Sequence, residues 1–299
     1  WIDPEDLKAL YARSAPAALC CPLGGERSMD WICARLDGGR VAEIGAHHRG
    51  ERMTHRLAAF VLPVSFARRL ELTPEYFPGM KVGEGAPRER YVEAALAVSL
   101  EQYPLTAVEA AGPYFDVDKP WHLLELNEFL VHRRCGALTE NRLGEGSSIA
   151  PDADIRGRVQ LGRNSRIGSR VLVKGSLIVG DNTVIDNGAI FEGDAVVGSR
   201  TRITNYCQIY DGCSIGSGCI MDHAAELIGG MLMDRVYLYH CCEYFGAVGS
   251  YSDLGAGTLC GTLRFDDQDS IHRTKGRAEV VRSGFGSATY LGDYSRTGA

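Results

Sequence analysis

The chain has 299 residues, of which 45% are hydrophobic and 23% are charged, and its formal net charge is −6 at pH 7. This length allows a large core and two domains, whereas the acidic balance argues against a nucleic-acid surface. No apolar run approaches the roughly 18 residues of a membrane span. Ten cysteines without a dense secreted-type framework, and no signal-peptide pattern, predict reduced thiols in a cytoplasmic protein.

The first half of the chain predicts alternating helices and strands. Asp3-Pro4 indicates an N-capped helix, and strands are predicted at 17–23, 40–44, 55–63 and 105–109, the first two followed or preceded by Gly-Gly turns. Helices are predicted at 88–102 and from about 121 to 134. This alternation predicts an α/β layer. Because the chain begins at Trp1 rather than Met, we expect further residues upstream.

From residue 149 to 227 an aliphatic or large apolar residue recurs at every sixth position. Neither a helix, with its period of 3.6, nor a strand, with its period of two, produces this spacing. The fourteen positions are Ile149, Ile155, Leu161, Ile167, Val173, Val179, Ile185, Phe191, Val197, Ile203, Ile209, Ile215, Met221 and Leu227.

A second ladder lies two residues before each apolar position and holds mostly small residues, such as Ser165, Thr183 and Ala195. Short strands joined by tight turns are implied, and hexapeptide repeats of this kind build parallel β-helices. The pattern resembles the left-handed β-helix of hexapeptide-repeat acyltransferases, in which three hexads make one triangular coil. Cysteines at 207, 213 and 219 occupy the small-residue ladder, which favours core packing over a metal site.

The segment from 115 to 127 reads Phe-Asp-Val-Asp-Lys-Pro-Trp-His-Leu-Leu-Glu-Leu-Asn. It resembles the end of the catalytic domain of sugar-1-phosphate nucleotidyltransferases, which implies that residues 1–139 form the C-terminal part of such an α/β domain. The resemblance further implies that Asp116 helps to hold a catalytic Mg²⁺. The family's Gly-rich phosphate loop does not occur in this sequence, and a turn or helix-capping role for Asp116 is the alternative.

The six-residue phase breaks between Leu227 and Val248, where we expect a loop to leave the coil. Glu226 and His240 are fourteen residues apart, and they are followed by Tyr-Phe-Gly at 244–246 and Gly-Ala-Gly-Thr at 255–258. These residues resemble the acetyltransferase half of bifunctional sugar-1-phosphate N-acetyltransferase/uridylyltransferases. The resemblance implies that residues 140–299 form an acyltransferase-like left-handed β-helix.

The same resemblance implies the roles of individual residues. His240 would be the general base that takes a proton from a hexosamine-1-phosphate amine as it attacks acetyl-CoA. The sugar-phosphate substrate would be bound by Glu226, Tyr244 and Asp253. Acetyl-CoA would be bound by Ala256 and Thr262. Two departures are Ile228, where the family has a phosphate-binding Lys, and Thr262, where it has Asn. Glu243 is one residue off the family's Tyr spacing, so either it or Tyr244 faces the site.

Three functions follow as hypotheses. The first is acetyl transfer with His240 as base, the second is a sugar-1-phosphate nucleotidyltransferase whose N-terminal half lies outside this chain, and the third is a degenerate assembly or regulatory module. By resemblance we expect a homotrimer that binds sugar phosphates and nucleotide sugars, with neither nucleic acid nor membrane as partner.

A carbonic-anhydrase-like zinc site is disfavoured because His223 and His240 lack a third His at suitable spacing. The pair Cys241-Cys242 is either a thiol or metal site or a packing element near a subunit interface.

Overall fold

The computed structural model describes residues 1–13, 16–23, 31–46, 53–73, 91–261, 264–274, 277–281 and 283–298. Its contacts divide the chain into two compact units, Trp1–Asp116 and Val117–Ala299. Within the described ranges, none of the helices combines the length and the apolar character that crossing a membrane requires.

The first unit contains a mixed five-stranded sheet that closes on itself. Its strands are Ala17–Pro22, Ile32–Asp37, Arg40–Ala46, His55–Val61 and Thr106–Glu109, in the order first, fourth, second, third and fifth. The first and fifth strands pair in parallel, and the other neighbours are antiparallel. Strand Ile32–Asp37 was not predicted. The predicted turn at 24–25 lies outside the described residues.

The helices of the first unit are short: Pro4–Tyr11, Ala67–Glu71 and Val92–Ala97, with a 3-10 turn at Val64–Phe66. The Asp3 side chain accepts a hydrogen bond from the Glu5 N–H at 3.0 Å and so caps the first helix, as Asp3-Pro4 predicts. The helix predicted at 88–102 covers Val92–Ala97, and residues 88–90 lie outside the described ranges. A mixed sheet with few helices therefore precedes the solenoid, and its likeness to a nucleotidyltransferase stays a prediction.

The second unit contains a parallel β-solenoid of about six turns over residues 142–254, with the character of a left-handed β-helix. Equivalent residues of successive coils pair directly, so Ile167 lies between Ile149 and Ile185. Twelve of the fourteen ladder residues are buried, and Ile149 and Ile155 of the first coil are partly buried. Each buried side chain of this size stabilises the fold by about 1.5–3 kcal/mol.

The strands of the solenoid are short, and most contain two or three residues. The strands of the second unit are Arg142–Leu143, Ser148–Ile149, Asp154–Ile155, Val159–Leu161, Arg166–Ile167, Leu172–Val173, Leu177–Val179, Val184–Ile185, Ile190–Phe191, Ala195–Val197, Arg202–Ile203, Gln208–Ile209, Cys213–Ile215, Ile220–Met221, Glu226–Leu232, Tyr237–Leu238, Glu243–Val248, Asp253–Leu254, Ser270–Thr274, Arg277–Val281, Thr289–Leu291 and Arg296–Thr297.

The coil shortens where the sequence phase breaks. Ile220 pairs with Tyr237, 17 residues later, and Tyr237 pairs with Asp253, 16 residues later, instead of the 18 of the regular coils. The prediction that a loop leaves the coil between 227 and 248 is therefore wrong. The excursion comes later, because Asp253 next pairs with Arg296 and an antiparallel hairpin, Ser270–Thr274 with Arg277–Val281, lies between them.

Helix Pro120–Gly136 packs on the solenoid. Trp121 and Leu124 join the apolar core of the coils, and Cys135 lies against Ile178. The Asn127 amide donates to the carbonyls of Gly212 and Gly230 at 3.0 and 3.3 Å. The compact second unit thus begins at Val117 and includes this helix, whereas the predicted domain boundary at 139/140 placed it in the first domain.

A ladder of buried hydroxyl groups runs along one corner of the coil. The hydroxyls of Ser165, Thr183 and Thr201 donate to glycine carbonyls at 2.6, 2.8 and 2.8 Å. Each also accepts a hydrogen bond from the N–H of the equivalent residue in the next coil, ending at Cys219. These bonds satisfy polar backbone groups that the short strands leave inside the corner.

We expect Thr183→Val to lower the free energy of unfolding by about 1–3 kcal/mol, because it leaves the Gly198 carbonyl and the Thr201 N–H unpaired inside the coil. Thr183→Ser is the matched control, since Ser165 already occupies this ladder, and it retains both bonds. Urea unfolding of both variants measures the difference. Equal stability of the two variants would contradict a role for the hydroxyl.

Candidate functional site

His240 lies at a corner of the solenoid, between strands Tyr237–Leu238 and Glu243–Val248. Its backbone is left-handed, with φ of +59°, and its side chain is exposed. His223 occupies the same corner one coil earlier, with φ of +53°, and its carbonyl accepts from the Cys241 N–H at 2.9 Å. The imidazole of His240 is therefore presented to solvent on a regular scaffold.

Two aromatic rings hold the His240 imidazole. The His223 ring stacks on it, with 4.8 Å between centroids and 21° between planes. The Tyr239 ring meets it edge to face at 4.6 Å. The Tyr239 hydroxyl donates to Asp253 Oδ1 at 3.2 Å, and its pKa is raised by desolvation and then by the Asp253 carboxylate. His240 and Asp253 are thus connected through Tyr239.

Asp222 lies directly before His223, and its side chain is only 7% exposed. Its Oδ1 accepts from the His223 N–H at 2.8 Å and from the Asn205 amide at 2.6 Å, while Arg202 approaches Oδ2 at 3.4 Å. Burial alone would raise the pKa of Asp222, but the hydrogen bonds outweigh burial and lower it. A negative charge is therefore held next to the His223 imidazole, whose Nδ1 lies 3.9 Å from Asp222 Oδ2.

Glu226 and Glu243 pair directly in adjacent coils, two or three residues past the corner, and both are half-buried. Tyr244 points the other way. It is 1% exposed, its hydroxyl donates to the Thr289 carbonyl at 3.0 Å, and desolvation raises its pKa. The sequence left open whether residue 243 or residue 244 faces the site. In the structure Glu243 lies beside Glu226 on the outer face, and Tyr244 packs inside the coil.

Of the two residues predicted to bind acetyl-CoA, Ala256 lies in the next coil. Ala256 is exposed and directly precedes Gly257, whose N–H donates to the His240 carbonyl at 3.0 Å. A Cβ built on Gly257 would meet no atom of the described residues within 4 Å, so there is open space beside Gly257. Thr262 lies outside the described residues. The structure thus brings together His240, Glu226, Asp253 and Ala256 and leaves Tyr244 in the core.

Asp116 is the last residue of the first compact unit, whereas His240 belongs to the second. Its side chain is half-buried. Across the described ranges, no group of three or more His, Cys, Asp or Glu residues is placed to hold a metal ion. The Mg²⁺ role of Asp116 stays a prediction.

Cys207, Cys213 and Cys219 lie in the core, as their place in the small-residue ladder predicts. All three are 0% exposed, and burial raises their pKa values to about 12, 12 and 11. Cys242 is also buried, and its thiol contacts the Tyr239 carbonyl at 2.8 Å. Cys241 alone among the ten cysteines is exposed, and it lies next to His240.

We expect a thiol reagent such as iodoacetamide to modify one cysteine per native chain, Cys241, and all ten after unfolding, because the other nine are buried. Mass spectrometry of peptides from briefly treated protein identifies the labelled position, and Cys241→Ser should abolish rapid labelling. Rapid modification of Cys207 or Cys213 in native protein would contradict the packed coil.

Sequence reasoning gave no role at this site to Asp222, His223 or Tyr239. The available signal was the coil length, because His223 precedes His240 by 17 residues and so lies one shortened coil away. The six-residue spacing does not show that this coil is one residue shorter, so the sequence alone did not place His223 beside His240.

Neither a comparison with protein-family models nor a comparison with curated proteins gives a match.

Proposed function

We propose that the corner around His240 transfers an acetyl group from acetyl-CoA to the amino group of a hexosamine-1-phosphate. The observation that carries this proposal is an exposed imidazole fixed between two rings, with carboxylates on the adjoining faces. An imidazole is suited to general base catalysis near neutral pH. We place the thioester beside Gly257, where a built Cβ meets no atom of the described residues within 4 Å.

In the proposed reaction His240 removes a proton from the substrate amine as its nitrogen bonds to the acetyl carbon. The carbon–sulfur bond then breaks, and His240 returns the proton to the leaving CoA thiolate, so charge and protons balance. Glu226 and Glu243 accept hydrogen bonds from the sugar hydroxyls and the amine. Tyr239 and Asp253 keep the imidazole in one orientation.

Ile228 replaces the cation that the family uses for the sugar phosphate. Its side chain lies on a separate cleft of about 260 Å³ that is also lined by Glu128, Asp211 and Phe245. A charged partner for the phosphate is therefore missing at this position, and the proposed enzyme should discriminate weakly between an amino sugar and its 1-phosphate. The predicted homotrimer belongs to the same proposal, and light scattering tests it.

The test is product formation. Purified protein is incubated with acetyl-CoA and a panel of amino sugars and their 1-phosphates, free CoA thiol is measured, and mass spectrometry identifies the N-acetylated sugar. Substrate binding should also slow the labelling of Cys241, which gives a readout besides turnover. Folded protein that forms no product above background and shows no protection of Cys241 would refute the proposal.

A further inference from the structure

We infer that His223 is a positioning residue for His240, and that Asp222 and the amide ladder beneath it fix His223 in place. The inference rests on the proposed function for its catalytic consequence and on the geometry of the corner for its structural content. Asp222 and His223 do not belong to the six-residue pattern, because they lie in the turn between strands Ile220–Met221 and Glu226–Leu232.

The first step is the contact between the two rings. The planes of His223 and His240 differ by 21° at a centroid distance of 4.8 Å, so His223 covers one face of the base. Tyr239 meets the same imidazole at 84°. A side chain confined by two rings in this way populates few orientations, and a catalytic base must be held close to its productive geometry.

The second step is the anchoring of His223. The Asp222 carboxylate accepts a hydrogen bond from the backbone N–H of His223 at 2.8 Å, and its Oδ2 lies 3.9 Å from Nδ1 of the His223 ring. Amides continue this ladder below it, since Asn205 donates to Asp222 at 2.6 Å and Asn187 donates to Asn205 at 3.1 Å. The Asn187 amide thus orients the Asn205 amide, and the Asn205 amide orients the Asp222 carboxylate beside His223.

The third step is the consequence for the reaction. When His240 takes the amine proton, the positive charge develops against the ring of His223, whose Nδ1 lies 3.9 Å from the Asp222 carboxylate. A carboxylate that is already fixed in place stabilises this charge without reorganisation. The role inferred for His223 is exerted through its contact with the His240 ring.

The corner itself supplies matched variants. Asn occupies the same place as His223 in the two preceding coils, at 187 and 205, with φ of +52° and +54°, so His223→Asn keeps a side chain that the backbone accepts. Tyr occurs with left-handed φ at 206, 251 and 294, so His223→Tyr restores an aromatic ring at a tolerated conformation. Asp222→Asn removes the charge and retains an oxygen acceptor.

We expect His223→Asn to lower kcat about 10- to 100-fold with little change in KM, because the base loses its orientation while the substrate contacts remain. His223→Tyr should recover part of this loss, and Asp222→Asn should lower kcat less than His223→Asn does. The carbon-bound ring protons of His240, assigned with a His240→Asn variant, should shift and lose order in His223→Asn as observed by NMR.

Unchanged kcat together with unchanged His240 ring signals in His223→Asn would overturn the inference. If the parent protein proves inactive, the NMR measurement separates the two claims. Altered His240 signals would then support positioning by His223 while the proposed function fails, and unaltered signals would overturn the positioning as well.

Discussion

His240→Asn should lower kcat/KM for acetyl transfer by about 10²- to 10⁴-fold, the range for losing a general base. Asn is the suitable replacement because the corner already holds Asn at 187 and 205 with left-handed backbone. The variant should therefore unfold at nearly the same urea concentration as the parent. Its activity, measured as release of the CoA thiol at saturating acetyl-CoA, separates catalysis from stability.

A second imidazole in the same unit, partly exposed, provides the control. His132 lies on helix Pro120–Gly136, 3.7 Å from carboxylate oxygens of both Asp194 and Asp211. His132→Asn removes this imidazole without touching the corner of His240, and its kcat/KM should match that of the parent. Equal activity of His240→Asn and the parent would end the assignment of His240 as the base.

Gly230→Ala should cost about 3–5 kcal/mol of unfolding free energy. Gly230 has φ of +115°, and a Cβ placed there would lie 2.0 Å from the carbonyl oxygen of Gly246 in the next coil. The clash is with backbone, so no side-chain rotation relieves it. Separation of the two coils would also disturb the pairing of Glu226 with Glu243.

Gly257→Ala is the matched control, because Gly257 also has positive φ, +69°, but a Cβ there meets no atom of the described part of the chain within 4 Å. Its cost should be only the conformational one, about 1–2 kcal/mol. Thermal and urea unfolding measure the stability of both variants. Gly257→Ala reports the backbone strain alone, and Gly230→Ala reports the strain together with the steric clash. A Gly230→Ala variant as stable as Gly257→Ala would show that the coils do not approach as closely as the structure places them.

The sequence predicted the solenoid well because its repeat is local. A residue such as Ile185 or Phe191 has the same neighbours in every coil, so the six-residue spacing by itself fixes which side chains are buried. The placement of Cys207, Cys213 and Cys219 in the core follows from the same rule. The first unit was predicted less completely, since strand Ile32–Asp37 takes its place in the sheet from distant partners such as His55 and Arg56.

The candidate site was predicted only in part. The resemblance to acetyltransferases singled out Glu226, His240, Asp253 and Ala256, and the structure places these residues around one corner in adjacent coils. It also named Tyr244, which lies in the core, because the resemblance did not reveal whether residue 243 or 244 faces outward. A shift of one residue along a strand reverses the direction of its side chain.

The amino-acid sequence by itself determined the repeating coil, the burial of its ladders and the position at which the repeat fails. Only the tertiary structure decided what that failure means: the chain shortens two corners around glycines at 229, 230 and 246 instead of leaving the coil. The physical reason is that corner contacts join residues 16 to 18 positions apart. The meeting of Asp222, His223 and His240 depends on which corner loses a residue, and a six-residue count does not contain that information.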